Sequence, residues 1–358
     1  MAPDAKNLKF ALVGCGRIAR RHSDLLGGGQ IAGARLAAVC DIVPEKAKAL
    51  GEKFGVPYYT DMLEMMAKTP VDAVSVLTES GNHARHVVEL AKFGKHIVVE
   101  KPMALTLDDA DAMIKACAGA GIKLFVVKQN RFNVPVVKLR EALEAGRFGK
   151  LVLGTVRVRW CREQGYYDQD RWRGTWALDG GVLANQASHH VDLLEWMMGD
   201  VEDVFAMSAT ALVKIETEDT AVVSLRFRNG ALGVIEATTA ARPKDLEGSI
   251  SIMGENGAVE IGGFAVNQMK TWNFRTPQPG DSEVMTKYSV NPPDVYGFGH
   301  KAYYEHVVDC IVNDTKQLVD GAEGRRSLEL IAGIYESIET KREVSLRSRP
   351  RKTRLGGK

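Results

Sequence analysis

Residues 10–19 read Phe-Ala-Leu-Val-Gly-Cys-Gly-Arg-Ile-Ala, a short apolar strand that runs into a G-x-G-x-x-A turn. Gly14 suits the tight turn at the end of the strand, Gly16 lets the backbone approach a pyrophosphate, and Ala19 lets the next helix pack closely on a sheet. The first turn of that helix offers free N–H groups and the positive end of its dipole to phosphates. The segment therefore predicts a dinucleotide-binding β-α unit.

An acidic residue follows the second predicted strand, residues 35–40. Asp41 lies 25 residues after Gly16, near the spacing of about 20 at which a carboxylate binds the adenosine ribose. The same carboxylate repels a 2′-phosphate. We therefore predict NAD, rather than NADP, as the cofactor.

The first third of the chain alternates strands and helices, which predicts a parallel sheet covered by helices on both faces. We predict strands at residues 8–13, 35–40, 72–77, 95–99 and 122–127, and helices at 17–26, 44–54, 82–93 and 107–119. Ligands of such sheets bind beyond the carboxyl ends of the strands. The segments expected there are Gly14–Ala19, Asp41, Thr78–His83, Glu100–Pro102 and Lys128–Arg131.

After about Gly149 the pattern changes to short strands joined by hairpin turns such as Asn229-Gly230, which indicates an antiparallel sheet. Strands are predicted at 151–160, 204–212, 220–227, 232–239, 249–253 and 258–261, and helices near 181–198, 301–313 and 324–340. The predicted fold class is α/β, with an N-terminal Rossmann domain (residues 1–132) followed by an α+β domain (133–346). Residues 347–358 are predicted to be a basic, disordered tail.

Composition excludes several classes of protein. The 358-residue chain has a net charge of +2 and five scattered cysteines without C-x-x-C spacing. This pattern indicates a reducing compartment, without structural zinc or disulfides. No apolar run reaches the ~18 residues of a membrane span, and no signal-peptide core precedes the first strand. We expect a cytoplasmic protein that binds neither membranes nor nucleic acid, because its charge is nearly balanced.

Glu100-Lys101-Pro102 directly follows a predicted strand, so Lys101 is expected at the ligand crevice. A solvated surface lysine is the alternative. On the predicted helix 181–198, a polar face carries Asn185, His189, Asp192 and Trp196 opposite an apolar stripe. A solvated face is again the alternative, although such faces favour Lys and Glu. Without further His or Cys at ligand spacing, the segment predicts no metal site.

Arginine and aromatic residues alternate through residues 157–173, a composition suited to an anionic ligand with an aromatic base. A nucleic-acid surface is the alternative, which the near-neutral body disfavours. Residues 296–300, Tyr-Gly-Phe-Gly-His, are interpreted as a substrate flap, or alternatively as a turn before the next helix.

Four of these motifs together resemble the glucose–fructose oxidoreductase/inositol dehydrogenase/MocA family across essentially the whole chain. They are Gly14–Ala19, Glu100-Lys101-Pro102, Gly146-Arg147-Phe148-Gly149 and Gly180-Gly181 with His189. The resemblance implies a C-terminal domain with a large, open-faced sheet on which a homodimer or homotetramer assembles. It also implies that Lys101 and His189 flank the reacting carbon. Asn185 departs from the family's Asp, and Thr78–His83 lacks the family's Pro.

More narrowly, several segments are similar to the UDP-N-acetyl-2-amino-2-deoxyglucuronate 3-dehydrogenases of bacterial surface-polysaccharide synthesis. They are residues 127–131, 166–168, 171–176, 185–189, 246–250 and 296–300. The similarity implies NAD-dependent oxidation of the sugar C3 hydroxyl to a ketone, with 2-oxoglutarate as a candidate acceptor that recycles NADH. The alternatives are a 3-dehydrogenase of UDP-N-acetylglucosamine, a free-sugar or polyol dehydrogenase, and a non-catalytic NAD-binding regulator.

The resemblance assigns residues to three roles. His189 is our choice of general base, because its ordinary pKa near ~6.5 suits neutral pH, and Lys101 polarises the sugar oxygen as a cation. The roles reverse if burial lowers the pKa of the lysine. The predicted NAD contacts are Gly14, Gly16, Arg17, Ile18, Asp41, Thr78, Ser80, His83, Glu100, Lys101, Gln129, Trp172 and Arg173. The predicted substrate contacts are Lys101, Asn130, Arg131, Tyr166, Arg171, Asn185, Gln186, His189 and Tyr296.

Overall fold

The computed structural model describes residues 7–289, 298–348 and 353–357. The chain forms two compact units. The first comprises the residues up to Val127 together with His300–Arg325, and the second comprises Lys128–Gly299 together with the residues from Arg326 onward.

Fourteen strands and eleven α-helices are present among the described residues. The strands are β1 (Leu8–Val13), β2 (Ala34–Cys40), β3 (Tyr58–Tyr59), β4 (Ala73–Val76), β5 (His96–Val99), β6 (Leu124–Val126), β7 (Leu151–Arg159), β8 (Val201–Ala209), β9 (Thr220–Phe227), β10 (Leu232–Thr238), β11 (Glu247–Gly254), β12 (Gly257–Gly262), β13 (Gln268–Phe274) and β14 (Val344–Ser345). The helices are α1 (Arg17–Gly27), α2 (Pro44–Phe54), α3 (Met62–Lys68), α4 (His83–Ala91), α5 (Leu107–Gly119), α6 (Val134–Glu144), α7 (Gln164–Tyr167), α8 (Ser188–Met198), α9 (Val284–Lys287), α10 (Gly299–Val312) and α11 (Gly321–Thr340).

The first unit contains a parallel six-stranded sheet with the order β3-β2-β1-β4-β5-β6. Its central strands are apolar and buried, as expected for a sheet with helices on both faces. This is the strand order of dinucleotide-binding folds, with β1 at the point where the order reverses. The predicted Rossmann domain is confirmed.

The second unit contains an eight-stranded sheet with the order β13-β12-β11-β7-β10-β9-β8-β14. β7 and β10 pair in parallel, and the other neighbours are antiparallel. Along β9, exposed and buried side chains alternate, so that one face of the sheet packs on the core and the other is open. Helix α8 lies close against the inner face, since a Cβ at Gly154 would stand 2.6 Å from Met198. The predicted mostly antiparallel sheet is confirmed.

The units differ from the predicted boundaries at residues 132 and 346. Residues 300–325, predicted as part of the second domain, pack with the first unit. The Tyr304 ring of α10 packs against Phe10 of β1 with its centroid 5.6 Å away, and Val126 donates a hydrogen bond to Val319. Hydrophobic periodicity shows that a helix exists near 301–313, but it does not show which sheet the helix covers.

The described part of the C-terminal tail also differs from the predicted disorder. Leu355 is buried, Gly356 donates a hydrogen bond to the Trp176 carbonyl, and the Arg354 guanidinium lies 4.2 Å from the centre of the Trp176 ring. These contacts hold residues 353–357 against the second unit. No helix within the described ranges is long and apolar enough to cross a membrane.

Candidate active site

The glycine-rich turn between β1 and α1 has the geometry that the sequence predicts. Gly14 has a φ of +99°, and a Cβ there would lie 2.7 Å from the Leu77 carbonyl oxygen, so only glycine fits. A Cβ at Gly16 would meet no protein atom within 4 Å, so protein packing does not explain this glycine. Helix α1 begins at Arg17, and its N-cap residue Gly16 provides no side-chain cap. The N-terminus of a helix placed after such a turn suits a pyrophosphate.

Asp41 lies at the carboxyl end of β2 and is tied to this turn. Its Oδ2 accepts a hydrogen bond from the Cys15 N–H at 2.7 Å, and its Oδ1 accepts one from the Val43 N–H at 2.9 Å. A carboxylate has four lone-pair positions, so two acceptor positions are left for ribose hydroxyls. The structure thus brings together the predicted pyrophosphate turn and the predicted ribose carboxylate.

His83 holds two loops together in the first unit. Its Nδ1 lies 2.8 Å from the Pro102 carbonyl and its Nε2 lies 3.0 Å from the Thr78 carbonyl. Burial lowers the pKa of this imidazole, although its contacts with the two carbonyls act in the opposite direction. A neutral ring donates to only one of the two carbonyls. His83 was predicted to contact the cofactor, but both ring nitrogens face backbone carbonyls, so we assign it to positioning the Thr78 and Lys101 loops. Thr78 itself contacts His86, and Ser80 is buried in the turn before α4.

Lys101 follows β5 at the edge of the sheet where the glycine-rich turn and Asp41 lie. Its backbone N–H donates to Glu100 Oε2 at 2.9 Å, and its side chain is half-buried. Burial would raise the pKa of Glu100, but the neighbouring imidazoles of His22 and His300 hold that pKa well below its usual range. An ionised carboxylate therefore lies beneath Lys101.

His189 lies in the first turn of α8, in the second unit. The Gln129 side-chain amide nitrogen is 3.0 Å from His189 Nε2, and both residues are buried. An amide nitrogen only donates, so Nε2 is the acceptor in this contact. The Nε2 lone pair is the one that a general base uses.

Arg131 and Asp192 form a buried ion pair beneath His189. Arg131 donates to both carboxylate oxygens of Asp192 at 2.8 Å, and Lys128 Nζ lies 3.6 Å from the same carboxylate. Although burial acts in the opposite direction, Arg131 and Lys128 lower the pKa of Asp192 to about 2. Asp192 therefore does not lie on the solvated face that was the alternative for the 181–198 segment. Arg131 was predicted to bind substrate, but this pairing assigns it to positioning α8.

Asn185 precedes α8, which begins at Ser188 rather than at the predicted residue 181. Its amide nitrogen donates to Asp179 Oδ1 at 2.5 Å, and Asp179 Oδ2 accepts the Gly174 N–H at 2.7 Å. Asp179 thus connects the arginine–aromatic segment to the segment that carries Asn185 and His189. Because the Asn185 amide donates to Asp179, its carbonyl oxygen is oriented as an acceptor.

Changing Asn185 to Asp is expected to make stability depend on pH. The variant places a second carboxyl about where the amide stands, 2.5 Å from Asp179. Two carboxylates this close cannot both ionise, so the pKa of the pair is raised in the folded state above its unfolded value near ~3.9. The folded state then binds the extra proton, and stability relative to wild type falls as pH rises through that window, by about 1.4 kcal/mol per pKa unit.

Thermal unfolding at pH 4.5 and pH 8 measures this effect, and the deficit of the Asn185→Asp variant should be larger at pH 8. The matched control is the double variant Asp179→Asn/Asn185→Asp, which exchanges the two groups. The amide introduced at position 179 still accepts from Gly174 and donates to the new carboxylate, so the pH-dependent deficit should disappear. An equal deficit at both pH values would contradict the pairing.

Tyr166, Trp172 and Arg173 form a stacked cluster in the second unit. Arg173 donates to the Tyr166 hydroxyl at 2.7 Å and lies 4.5 Å from its ring centre and 4.8 Å from that of Trp172. Arg162 lies 5.6 Å from the same Tyr166 ring. Arg171 is exposed in the same loop. Arg173 also pairs with Asp170 at 3.0 Å, and Arg162 pairs with Asp245 at 2.9 Å. The structure therefore brings predicted nucleotide-binding and cofactor-binding residues into one aromatic patch whose arginines are partly balanced by carboxylates.

Arg157 and Arg159, at the start of that arginine-rich segment, lie on the open face of the sheet. Arg159 pairs with Glu236 at 2.6 Å and with Glu247 at 3.2 Å, and Arg157 pairs with Glu247 and Glu260. These two arginines are balanced by acidic residues on neighbouring strands. We therefore do not assign Arg157 and Arg159 to an anion site.

The predicted flap falls partly outside the described residues, which leaves out Tyr296 and Gly297. Gly299 lies against the Gln129 segment, because a Cβ there would be 2.0 Å from the Gln129 carbonyl oxygen. Asn130 and Gln186 are both buried.

Sequence analysis missed two carboxylates that hold the segment before α8. Asp179 stands immediately before Gly180-Gly181, and an acidic residue before such a turn is the signal that could have found it. Glu218 accepts hydrogen bonds from Leu183 N at 3.0 Å and from the Tyr335 hydroxyl at 2.9 Å, and a Cβ at Gly181 would overlap it. Burial raises the pKa of Glu218 to about 7. No local pattern marks Glu218, because its partners are distant in sequence.

Two domain profiles of one protein family match the chain. Residues 8–128 match the NAD-binding Rossmann fold of an oxidoreductase family, and residues 140–346 match the C-terminal alpha/beta domain of the same family. The chain belongs to the Gfo/Idh/MocA oxidoreductase family. The predicted resemblance is confirmed, as are an NAD-dependent oxidoreductase activity and NAD as the cofactor. The geometry fits this cofactor, since Gly14, Gly16 and Asp41 form its phosphate and ribose positions in the first unit.

Members of the Gfo/Idh/MocA family with assigned activities resemble this chain over nearly its full length. The myo-inositol 2-dehydrogenase of Thermotoga maritima is 32% identical over 346 residues, which is 95% of this chain and 98% of that protein. The D-apiose dehydrogenase of Rhizobium rhizogenes is 27% identical over 350 residues, 95% of this chain and 97% of that protein.

Two solved structures of the family are more similar. The WlbA dehydrogenase from Bordetella pertussis, in complex with NADH and UDP-GlcNAcA, is 43% identical with a TM-score of 0.89, and the match covers 95% of this chain and 98% of that chain. The WlbA dehydrogenase from Chromobacterium violaceum, with the same two ligands, is also 43% identical with a TM-score of 0.89, and coverage is 96% of each chain.

Proposed function

We propose that this enzyme oxidises the C3 hydroxyl of UDP-N-acetyl-2-amino-2-deoxyglucuronate (UDP-GlcNAcA) to the 3-keto sugar in the synthesis of a bacterial surface polysaccharide such as lipopolysaccharide. The observation that carries the proposal is the identity of 43% to two dehydrogenases bound to UDP-GlcNAcA, against 32% to the inositol dehydrogenase. Asn185, which departs from the family's Asp, agrees with this choice.

NAD supplies the hydride acceptor for this reaction. We propose that His189 takes the proton of the C3 hydroxyl at Nε2, the atom that accepts from Gln129 in the structure. A substrate hydroxyl would replace the Gln129 amide as the donor. Lys101 would stabilise the oxygen as negative charge develops, because a cation there acts on charge present mainly in the transition state.

The arginine–aromatic cluster is our candidate for the nucleotide half of the substrate. Guanidinium groups form paired, charge-assisted hydrogen bonds with a diphosphate, and uracil stacks on aromatic rings. Arg173 is stacked between Tyr166 and Trp172, and Arg171 is exposed beside it. We propose that Asn185 accepts from a sugar group through its carbonyl oxygen, that Asn130 and Gln186 line the sugar site, and that Tyr296 completes the nucleotide site.

The test is NADH formation from a panel of substrates at matched concentrations: UDP-GlcNAcA, free N-acetylglucosaminuronate, UDP-N-acetylglucosamine and myo-inositol. Binding energy from the remote nucleotide orients C3, so the free sugar should lose turnover as well as affinity. Similar efficiency with the free sugar would reject the nucleotide-sugar assignment.

A polyol dehydrogenase is the second candidate, because the 32% identity to the inositol dehydrogenase extends over 95% of the chain. Preferred oxidation of myo-inositol in the same panel would select the polyol dehydrogenase.

We also propose that 2-oxoglutarate accepts the hydride of NADH and regenerates NAD. A run of the same assay with added 2-oxoglutarate tests this proposal.

We also propose that the enzyme is cytoplasmic, since its five cysteines are free.

We propose further that the enzyme is a homodimer or homotetramer assembled through the open face of the eight-stranded sheet. Cross-strand pairs place an apolar stripe on that face. The stripe consists of Leu153, Phe205, Met207, Val222, Leu232, Val234 and Met253. Five of its members are at least 38% exposed, and contiguous exposed apolar surface of this kind marks protein interfaces.

Charged side chains in this stripe should dissociate the oligomer. Met207 and Val222 are directly opposite each other on β8 and β9, so Met207→Glu/Val222→Glu buries two carboxylates in the proposed interface. Analytical ultracentrifugation should show the variant as a monomer of 39.2 kDa and the wild type as a multiple of that mass. Leu63→Glu is the control, because Leu63 is exposed on α3 in the other unit. A monomeric wild type would contradict the interface.

A further inference from the structure

A network of buried, hydrogen-bonded side chains in the first unit ends at the backbone N–H of Lys101. We propose that Tyr304 and His22 are positioning residues for Lys101 and act on it through the Glu100 carboxylate. The inference deepens the proposed function, because it rests on the role of Lys101 in the oxidation. It does not depend on which sugar is oxidised.

This hydrogen-bond network has four consecutive contacts, each at hydrogen-bond distance. They are Ser75 Oγ to the Tyr304 hydroxyl at 3.0 Å, the Tyr304 hydroxyl to His22 Nδ1 at 2.6 Å, His22 Nε2 to Glu100 Oε1 at 2.9 Å, and the Lys101 N–H to Glu100 Oε2 at 2.9 Å. The members come from β4, α10, α1 and the end of β5. Four elements of the first unit therefore meet at one carboxylate.

Burial separates this hydrogen-bond network from solvent. Ser75, His22 and Tyr304 are 0% exposed and Glu100 is 5% exposed, whereas Lys101 is half-buried. Buried polar groups are costly unless they are hydrogen-bonded, and a fully satisfied network holds its members in one arrangement. The end of this network that approaches the surface is the catalytic lysine of the proposed reaction.

The ionised Glu100 determines the direction of the hydrogen bonds. A carboxylate only accepts, so His22 Nε2 donates to it, while His22 Nδ1 lies 2.6 Å from the Tyr304 hydroxyl. Tyr304 in this way fixes the orientation of the imidazole ring that donates to Glu100. Without the Tyr304 hydroxyl, His22 Nδ1 would lose this partner, and the ring that donates to the carboxylate holding the Lys101 backbone would be less firmly placed.

His22, Glu100 and His300 also have the composition of a metal site, since their ligand atoms lie within 4.8 Å of one another. The separation of 2.9 Å between His22 Nε2 and Glu100 Oε1 is a hydrogen-bond length, however, and His300 Nε2 is 3.7 Å from the same oxygen. The His22–Glu100 contact therefore fits a shared proton, whereas the His300–Glu100 separation is too long for a hydrogen bond. We assign the His22–Glu100 contact to hydrogen bonding, and metal analysis is included in the test.

The test compares Tyr304→Phe with Tyr303→Phe. Both substitutions remove one phenolic oxygen from adjacent, fully buried tyrosines of α10, and Tyr303 is not one of the five members of the hydrogen-bond network. Tyr304→Phe should lower kcat roughly tenfold through misplacement of Lys101, while the KM for NAD stays near that of Tyr303→Phe. Its melting temperature should fall below that of Tyr303→Phe, because buried Ser75 and His22 lose a hydrogen-bond partner. Ser75→Ala, with the equally buried Ser23→Ala as control, should show a smaller loss in the same direction.

The readout that separates positioning from a merely structural role is the same comparison in a Lys101→Ala background. If Tyr304 acts through Lys101, Tyr304→Phe should cause no further loss of the residual turnover there. Equal losses in both backgrounds, equal kcat for the two Tyr→Phe variants, or one equivalent of bound zinc would each overturn the proposal. The assay uses whichever panel substrate yields NADH, so failure of UDP-GlcNAcA alone would reject the substrate assignment and leave this proposal to be judged separately.

Discussion

Replacing Lys101 with alanine is expected to lower turnover by roughly a hundredfold or more, the usual loss when acid–base or oxyanion assistance is removed. The residue lies at the carboxyl end of β5, and its backbone is held by the ionised Glu100. NAD affinity should change much less, because the glycine-rich turn and Asp41 do not depend on the lysine side chain. Steady-state kinetics with saturating substrate, together with calorimetric titration of NAD, separate the two effects.

His189→Asn is expected to cause a loss of the same size, because it removes the Nε2 lone pair that we assign as the base. Lys92→Ala is the matched control for charge removal, since Lys92 is an exposed lysine of the same unit as Lys101. Near-normal turnover in either active-site variant would show that the assigned role is wrong. A loss confined to NAD affinity would assign Lys101 to cofactor binding instead of chemistry.

The second large effect concerns cofactor choice, and NAD should bind roughly a hundredfold more tightly than NADP. A 2′-phosphate about 4 Å from the Asp41 carboxylate would be repelled by up to about 4 kcal/mol at an effective dielectric constant near 20, and solvent screening reduces this figure. The carboxylate cannot readily turn away, because the N–H groups of Cys15 and Val43 hold both of its oxygens. Calorimetric titration of both cofactors measures the ratio.

Asp41→Ser should remove most of this discrimination by improving NADP binding. Glu45→Gln is the control, because Glu45 is an exposed carboxylate in the first turn of the neighbouring α2. Equal affinity of the wild-type enzyme for NAD and NADP would remove Asp41 from the proposed role.

The elements of the first unit could be predicted closely from the sequence. Parallel strands buried on both faces are continuous apolar runs, and glycine and proline mark their ends, so β1 was predicted with its observed bounds. The short β3 and α3 were not predicted, because two residues of strand and seven of helix carry too little periodicity. Helix α6 was also not predicted, and it begins directly after the predicted domain boundary at residue 132.

The candidate site was predictable where function depends on local sequence. Gly14 and Asp41 have roles set by strand ends, which the sequence locates. By contrast, His22 and Tyr304 are separated by 282 residues, and their contact exists only because α10 returns to the first unit. Arg131 and Asp192 looked like ligand-binding residues because buried ion pairs and anion sites use the same residue types.

The central claim, hydride removal from C3 of a UDP-sugar, is tested most directly by isotope transfer. The enzyme is supplied with NAD and UDP-GlcNAcA that carries deuterium only at C3, and the nicotinamide product is analysed by mass spectrometry. We predict NADH that is one mass unit heavier, formed at a rate reduced by a primary isotope effect. Unlabelled NADH formed at an undiminished rate would place the oxidation at another carbon and contradict the assignment.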